Sequence, residues 1–92
     1  MEFRWIDWNI DKVLGHGVTP EEAEQVAEGA TAPYPQYRAD DRLLVWGPTS
    51  AGRLLQVAYL LDDDGTVFVI HARPLTEPEK RRHRRHRRRR GL

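Results

Sequence analysis

Residues 42–73 read RLLVWGPTSAGRLLQVAYLLDDDGTVFVIHAR. Three runs rich in β-branched, aliphatic and aromatic residues, 42–47, 53–61 and 66–73, are separated by GPTSAG and DDDG. Short strands bounded by Gly, Pro, Ser and Asp clusters are the signature of hairpins, so this stretch predicts a three-stranded antiparallel meander. Side chains alternate across a strand, and a turn of even length sets which ones meet. Leu55, Val57, Tyr59 and Leu61 are then expected to share a wholly apolar face with Phe68, Ile70 and Ala72, the core side. The other face collects Leu54, Gln56, Ala58, Leu60, Val67, Val69, His71 and Arg73. Its mixture of polar and aliphatic groups suits a half-exposed surface or one that meets a partner. An odd turn would mix the two sets.

Upstream, Phe3 to Trp5 has the alternation of a short strand. In residues 6–17, IDWNIDKVLGHG, the positions Ile10, Val13 and Leu14 have helical spacing. Asp7 or Asn9 can cap this helix, and Gly15 can supply the left-handed residue that ends it. Lys12 lies off the apolar stripe. Residues 18–30 hold a stronger start signal. Thr19 caps, Pro20 takes the first helical position, and Glu22 completes a capping box. Ala23, Val26, Ala27 and Ala30 form a thin buried stripe, and Gly29 ends it. Residues 31–41, TAPYPQYRADD, have prolines and no period, which predicts a loop. Tyr34 and Tyr37 are expected to pack back on the body.

Downstream, Thr76 and Glu79 repeat the capping-box spacing, and a helix can run to about residue 90. From Thr76 to Gly91 it has no apolar residue, so it has no stripe to bury. The expected order is a short strand, two helices, the three-stranded meander and a basic C-terminal helix, an α+β fold.

The chain of 92 residues has a formal charge of +1. That figure averages two unlike parts. Residues 80–90, KRRHRRHRRRR, hold nine Lys/Arg and no acid, leaving six basic against fourteen acidic residues in 1–79. The expected organisation is a compact domain over 1–79 followed by an Arg-rich helix or tail over 80–92. Such a run is a solvated arm or an arm for polyanions or an acidic partner. There is no cysteine, hence no disulfide and no cysteine zinc site. No run approaches the ~18 apolar residues of a membrane span. The N-terminus lacks a signal-peptide core, and no phosphate loop, HExxH or GxSxG motif occurs. These absences lead to the expectation of a cytoplasmic protein away from membranes.

One constellation is more specific. Trp8-Asn9 with Lys12, the run His16-Gly17-Val18-Thr19-Pro20-Glu21-Glu22, then Gly47-Pro48-Thr49 with Gly52-Arg53, then Val69-Ile70, Ala72-Arg73-Pro74, Thr76 and Glu79-Lys80-Arg81-Arg82, in that order and spacing, resembles the BrnT family. These are small toxins of type II toxin–antitoxin pairs with a RelE-like ribonuclease fold. The resemblance covers about residues 5–90. It implies a ribonuclease that uses no metal or other cofactor and arrests growth by cutting RNA. It also implies a BrnA-like antitoxin, a toxin–antitoxin heterotetramer, and contact with operator DNA only through that antitoxin. The family's functional positions fall on Lys12, His16, Arg53 and Arg73. Where relatives carry tyrosine or leucine in the last helix, this chain has His83.

Metal-free RNA cleavage needs a base for the 2′-hydroxyl, positive charge for the pentavalent phosphate, and an acid for the leaving oxygen. Lys12, Arg53 and Arg73 suit the phosphate. His71, His83 and Glu79, within chain reach of Arg73, are candidates for proton transfer. His16, between two glycines, serves either chemistry or the turn. Lys80, Arg81, Arg82, Arg84 and Arg85 are expected to bind RNA, with steep salt dependence. Trp5, Trp8 and Trp46 read as core, although Trp8 beside Asn9 is also placed to face a site. The contrasting expectation is a module that binds nucleic acid or an antitoxin but has lost cleavage.

Overall fold

A computed structural model describes the backbone of residues 1–91 and the side chains of residues 1–85. Helices α1 (Asp7–Gly15) and α2 (Pro20–Glu28) come first. Strand β1 (Gln36–Tyr37) and a 3₁₀ turn, Ala39–Asp41, lead into strands β2 (Leu43–Pro48), β3 (Leu54–Leu61) and β4 (Val67–Pro74). Helix α3 (Glu77–Gly91) follows. The strands form one antiparallel sheet in the order β1-β2-β3-β4. The α+β class and the meander are as the sequence predicts.

Two edges differ from expectation. The 31–41 segment is not only a loop, because Gln36 and Tyr37 pair with Leu44 and Leu43 and add a fourth strand. The N-terminal strand shrinks to a bridge of Phe3 parallel to Val67, held by Arg4 N–H to Val67 O (2.9 Å) and Val67 N–H to Glu2 O (2.8 Å).

The hairpin β3–β4 corrects the predicted faces. Leu61 opposes Val67 and Tyr59 opposes Val69, but Ala58 opposes His71 and Val57 opposes Ala72. Ile70 is therefore a bulge residue. The turn begins in the odd register, and the bulge restores the even one beyond it. Val67 and Val69, not Phe68 and Ile70, join Leu55, Val57, Tyr59 and Ala72 in the core. Leu61, at the strand's end, is half exposed. As a result Phe68, Ile70, His71 and Arg73 fall on the opposite face.

The core face is closed by both first helices. Val13 and Val18, with Ala23, Val26 and Ala27 of α2, meet the valines of the sheet in one cluster. Each such valine contributes roughly 1.5–3 kcal/mol by leaving water. The small residues of α2 let it lie close on β2 and β3.

The helix ends show why these segments start and stop. At α2 the predicted capping box is present: Glu22 N–H donates to Thr19 Oγ1 (3.1 Å), and Thr19 N–H to Glu22 Oε1 (3.0 Å). At α1 the cap position is Ile6, not Asp7 or Asn9. Asn9 sits in the first turn, fully buried, and accepts from Ile6 N–H (2.7 Å). Its Nδ2 donates to Arg4 O and Val69 O, both at 3.1 Å, riveting α1 to β4. The left-handed residue after α1 is Gly17 (φ +73°), not Gly15. Gly17 N–H to Leu14 O (2.9 Å) and Val18 N–H to Val13 O (3.0 Å) complete a Schellman motif, with Val13 and Val18 buried against each other's turn.

Tyr34 packs on the core as expected, whereas Tyr37 is exposed. No helix among the described residues is long and apolar enough to cross a membrane.

Candidate nucleic-acid interface

Trp8, Lys12 and His16 recur every four residues, so α1 and its C-cap carry them in one line. Asn9 and Val13 turn inward, and this line is left along the outer rim beside β4. There Trp8 meets Phe68 (ring centroids 6.1 Å apart), and Lys12 Nζ stands 5.4 Å from the Trp8 ring. The His16 ring lies edge-on to His71 at 5.2 Å. His16 belongs to the Schellman turn, whose Gly17 carbonyl accepts from Arg53 Nη1 at 2.8 Å. The turn, and with it the histidine, is thereby tied to the start of β3.

Between this rim and the β1–β2 corner lies an open cleft of about 720 Å³. Leu44, Gln56, Ala58, Ile70 and His71 are among the side chains that line it, with Trp8 and Lys12 from α1 and Arg38, Ala39 and Arg42 from the corner. The corner is tight. Arg38 N–H donates to Arg42 O (2.7 Å), and Asp40 and Asp41 both adopt left-handed φ, +65° and +61°. Such a turn strains non-glycine residues, and here it brings two arginines out together. Arg38 also donates to Gln36 Oε1 (2.8 Å), and Arg42 Nη2 lies 4.0 Å from exposed Asp40. Lys12, Arg38 and Arg42 are the charged groups lining the cleft, and none of the described lining residues is a carboxylate. A body with six basic and fourteen acidic residues has thus gathered half of its cations at one opening.

Beyond the cleft floor, Gln56 Oε1 accepts from Trp46 Nε1 (2.9 Å) and Arg73 Nη2 (3.3 Å). Arg73 grips Glu79 with both outer nitrogens, at 2.7 and 2.8 Å. Glu79 also accepts from Thr76 N–H (2.8 Å), so the second predicted capping box forms. The Arg73 guanidinium and the Thr76 amide together hold the Glu79 carboxyl down to about 2. A carboxylate so stabilised is a poor base, which argues against proton transfer by Glu79. His71 is different. Burial, then the nearby His16, Arg73 and Lys12 charges, push its pKa below the usual value of 6.5, which favours a neutral proton acceptor.

The sequence-derived candidates thus separate. His16 packs edge-on to His71, and Arg73 and Lys12 are near enough for their charges to act on it. Arg53 is occupied by Glu22 (3.3 Å) and the Gly17 carbonyl, an arrangement that parallels Arg73 on Glu79: in each case a capping-box glutamate pairs with an arginine at a strand end. On α3, Lys80 pairs with Glu77 at 3.2 Å, the Arg82 guanidinium lies 5.4 Å from the Trp46 ring, and Arg81, Arg84 and Arg85 are exposed. His83 is buried to 7% exposure with its ring 6.3 Å from Tyr34. The helix therefore docks by polar and aromatic groups, in place of the apolar stripe it lacks. Trp5 is partly buried, donating to Glu24 at 2.7 Å, while Trp8 is half exposed at the cleft. Sequence reasoning missed Arg38, Arg42 and Gln56. Of the rim, the sequence offered Lys12 and His16 through the resemblance and Trp8 as a residue placed to face a site.

No three His, Asp or Glu side chains among the described residues converge as a metal site would require. Searches against models of protein families, curated proteins and solved structures found no match to this chain.

Proposed function

We propose that this chain is a BrnT-like ribonuclease toxin with a RelE-like fold, cutting RNA in the cleft between α1 and the β1–β2 corner. The observation that carries the reading is the His16–His71 pair beside a cleft whose charged lining is cationic. His71, favoured neutral, takes the proton of the 2′-hydroxyl. The 2′-oxygen attacks phosphorus, and the bond to the 5′-oxygen breaks. Lys12, Arg38 and Arg42 stabilise the extra negative charge as it develops. His16 delivers a proton to the leaving 5′-oxygen. The products are a 2′,3′-cyclic phosphate and a 5′-hydroxyl, with no metal in any step. Arg53 positions the His16 turn, and the cations of α3 draw RNA toward the cleft. In the cell, a BrnA-like antitoxin would silence the toxin in a heterotetramer that reaches operator DNA through the antitoxin alone.

A second reading, a binding module without cleavage, is favoured by the engagement of Arg73 with Glu79, which removes one expected phosphate ligand. The test is incubation of the purified chain with RNA in excess chelator. Cyclic-phosphate ends are expected, and His71→Ala should lower the rate about 10²–10⁴-fold. Intact RNA, together with normal growth on induced expression, would leave the module reading.

A further inference from the structure

We infer that the cleft holds an unpaired base of single-stranded RNA, with Trp8 as its stacking platform. The inference rests on RNA being the ligand and adds which form of RNA can enter. Trp8 is half exposed at the cleft, although the helix that bears it is fixed by a buried Asn9 and by Val13. Held on a rigid element at the cleft, the half-exposed indole is a preformed aromatic surface. Its surroundings suit a nucleobase. Leu44, Ala58 and Ile70 supply an apolar floor, and Gln56 a polar edge. Gln56 Oε1 is already taken by Trp46 and Arg73, so a bond from Gln56 to an occupant is donated by its Nε2.

The charges stand on both sides of that floor, Lys12 on the α1 rim and Arg38 and Arg42 on the corner. One splayed nucleotide presents the same pattern, an apolar face between two flanking phosphates. In a duplex, base faces are covered by their neighbours, and Trp8 would find none to stack on. Lys12 Nζ, 5.4 Å from the indole, is displaced by an arriving base toward the phosphate beside it. Base–aromatic stacking tolerates any base, so this platform selects strandedness rather than sequence.

Because α3 attracts every polyanion, the test must isolate the base. The full chain is titrated with a 2′-O-methyl oligoribonucleotide, which cannot be cut, with the same strand annealed to its complement, and with an abasic strand of equal length. Trp8→Ala should weaken binding of the single strand about 5- to 100-fold and leave the other two within about twofold, with Trp8→Phe restoring most of the loss. An unchanged single-strand affinity, or an equal loss on all three ligands in a variant with the native circular dichroism, overturns the inference. Cleavage of unmodified RNA is scored separately. Its absence alongside the Trp8 pattern removes the nuclease and keeps the base site, whereas cleavage without that pattern does the reverse.

Discussion

The two faces of the sheet are built from the same three long strands on opposite rules. One face is closed by α1 and α2 over a dry cluster of valines, leucine and alanine, with Tyr59 at its edge. The other carries Gln56, Ile70, His71 and Arg73, meets α3 through charged and aromatic groups, and remains open at the cleft. Apolar packing tolerates few changes of volume, while a polar face can exchange partners and is free to work. The lesson is that apolar packing and polar side chains are divided between the faces, with the Ile70 bulge deciding which residue lies on which.

The sharpest way to break this division is to damage each face in turn. Leu55→Ala, in the closed face, should cost about 2–5 kcal/mol in denaturant unfolding, while the folded fraction keeps its affinity for RNA. Asn9→Ala follows. It strips a partner from the Ile6 amide and the Arg4 and Val69 carbonyls, with an expected loss of about 2–3 kcal/mol. A smaller loss would mean that α1 is held to β4 by packing alone.

On the open face, Glu79→Gln should cost about 2 kcal/mol at neutral pH. Glu79 has a folded pKa held down to about 2 against an ordinary value of 4.5. Its stabilisation is therefore complete above pH 4.5 and fades as pH falls toward 2. The stability gap between the native chain and the variant should close over that same window. A gap independent of pH would show that the carboxylate's charge is not what ties α3 to Arg73. Smallest in stability is the double variant Arg38→Ala with Arg42→Ala. Its unfolding free energy should shift by less than about 0.5 kcal/mol, while the salt slope of RNA binding falls by about 2.

Legibility in the sequence follows the same division. The meander was readable because turn residues bracket runs of β-branched and aromatic residues, and α2 because Thr19, Pro20 and Glu22 are local signals. Register was not. In TVFVIHAR both faces are apolar up to Ile70, so the alternation cannot mark a bulge, and core and opposite face were exchanged for Phe68, Ile70, Val67 and Val69. Lys12 and His16 were named through the resemblance alone, and the fold sets both beside His71. Arg38 and Arg42 were not, because their convergence depends on left-handed Asp40 and Asp41, which no spacing reveals. Docking of α3 was missed for a like reason: His83, Glu79 and Arg82 find their partners only when the sheet and the Tyr34 segment come together.

The proposed cleavage stands or falls on His71. The most direct test is the pH dependence of kcat/KM for cleavage of single-stranded RNA in chelator. In the proposed reaction the neutral imidazole is the base, so the rate should rise with pH through a midpoint below 6.5, and His71→Ala should flatten that limb without moving the unfolding midpoint. A rising limb at or above 6.5, or one that survives in His71→Ala, would contradict the account.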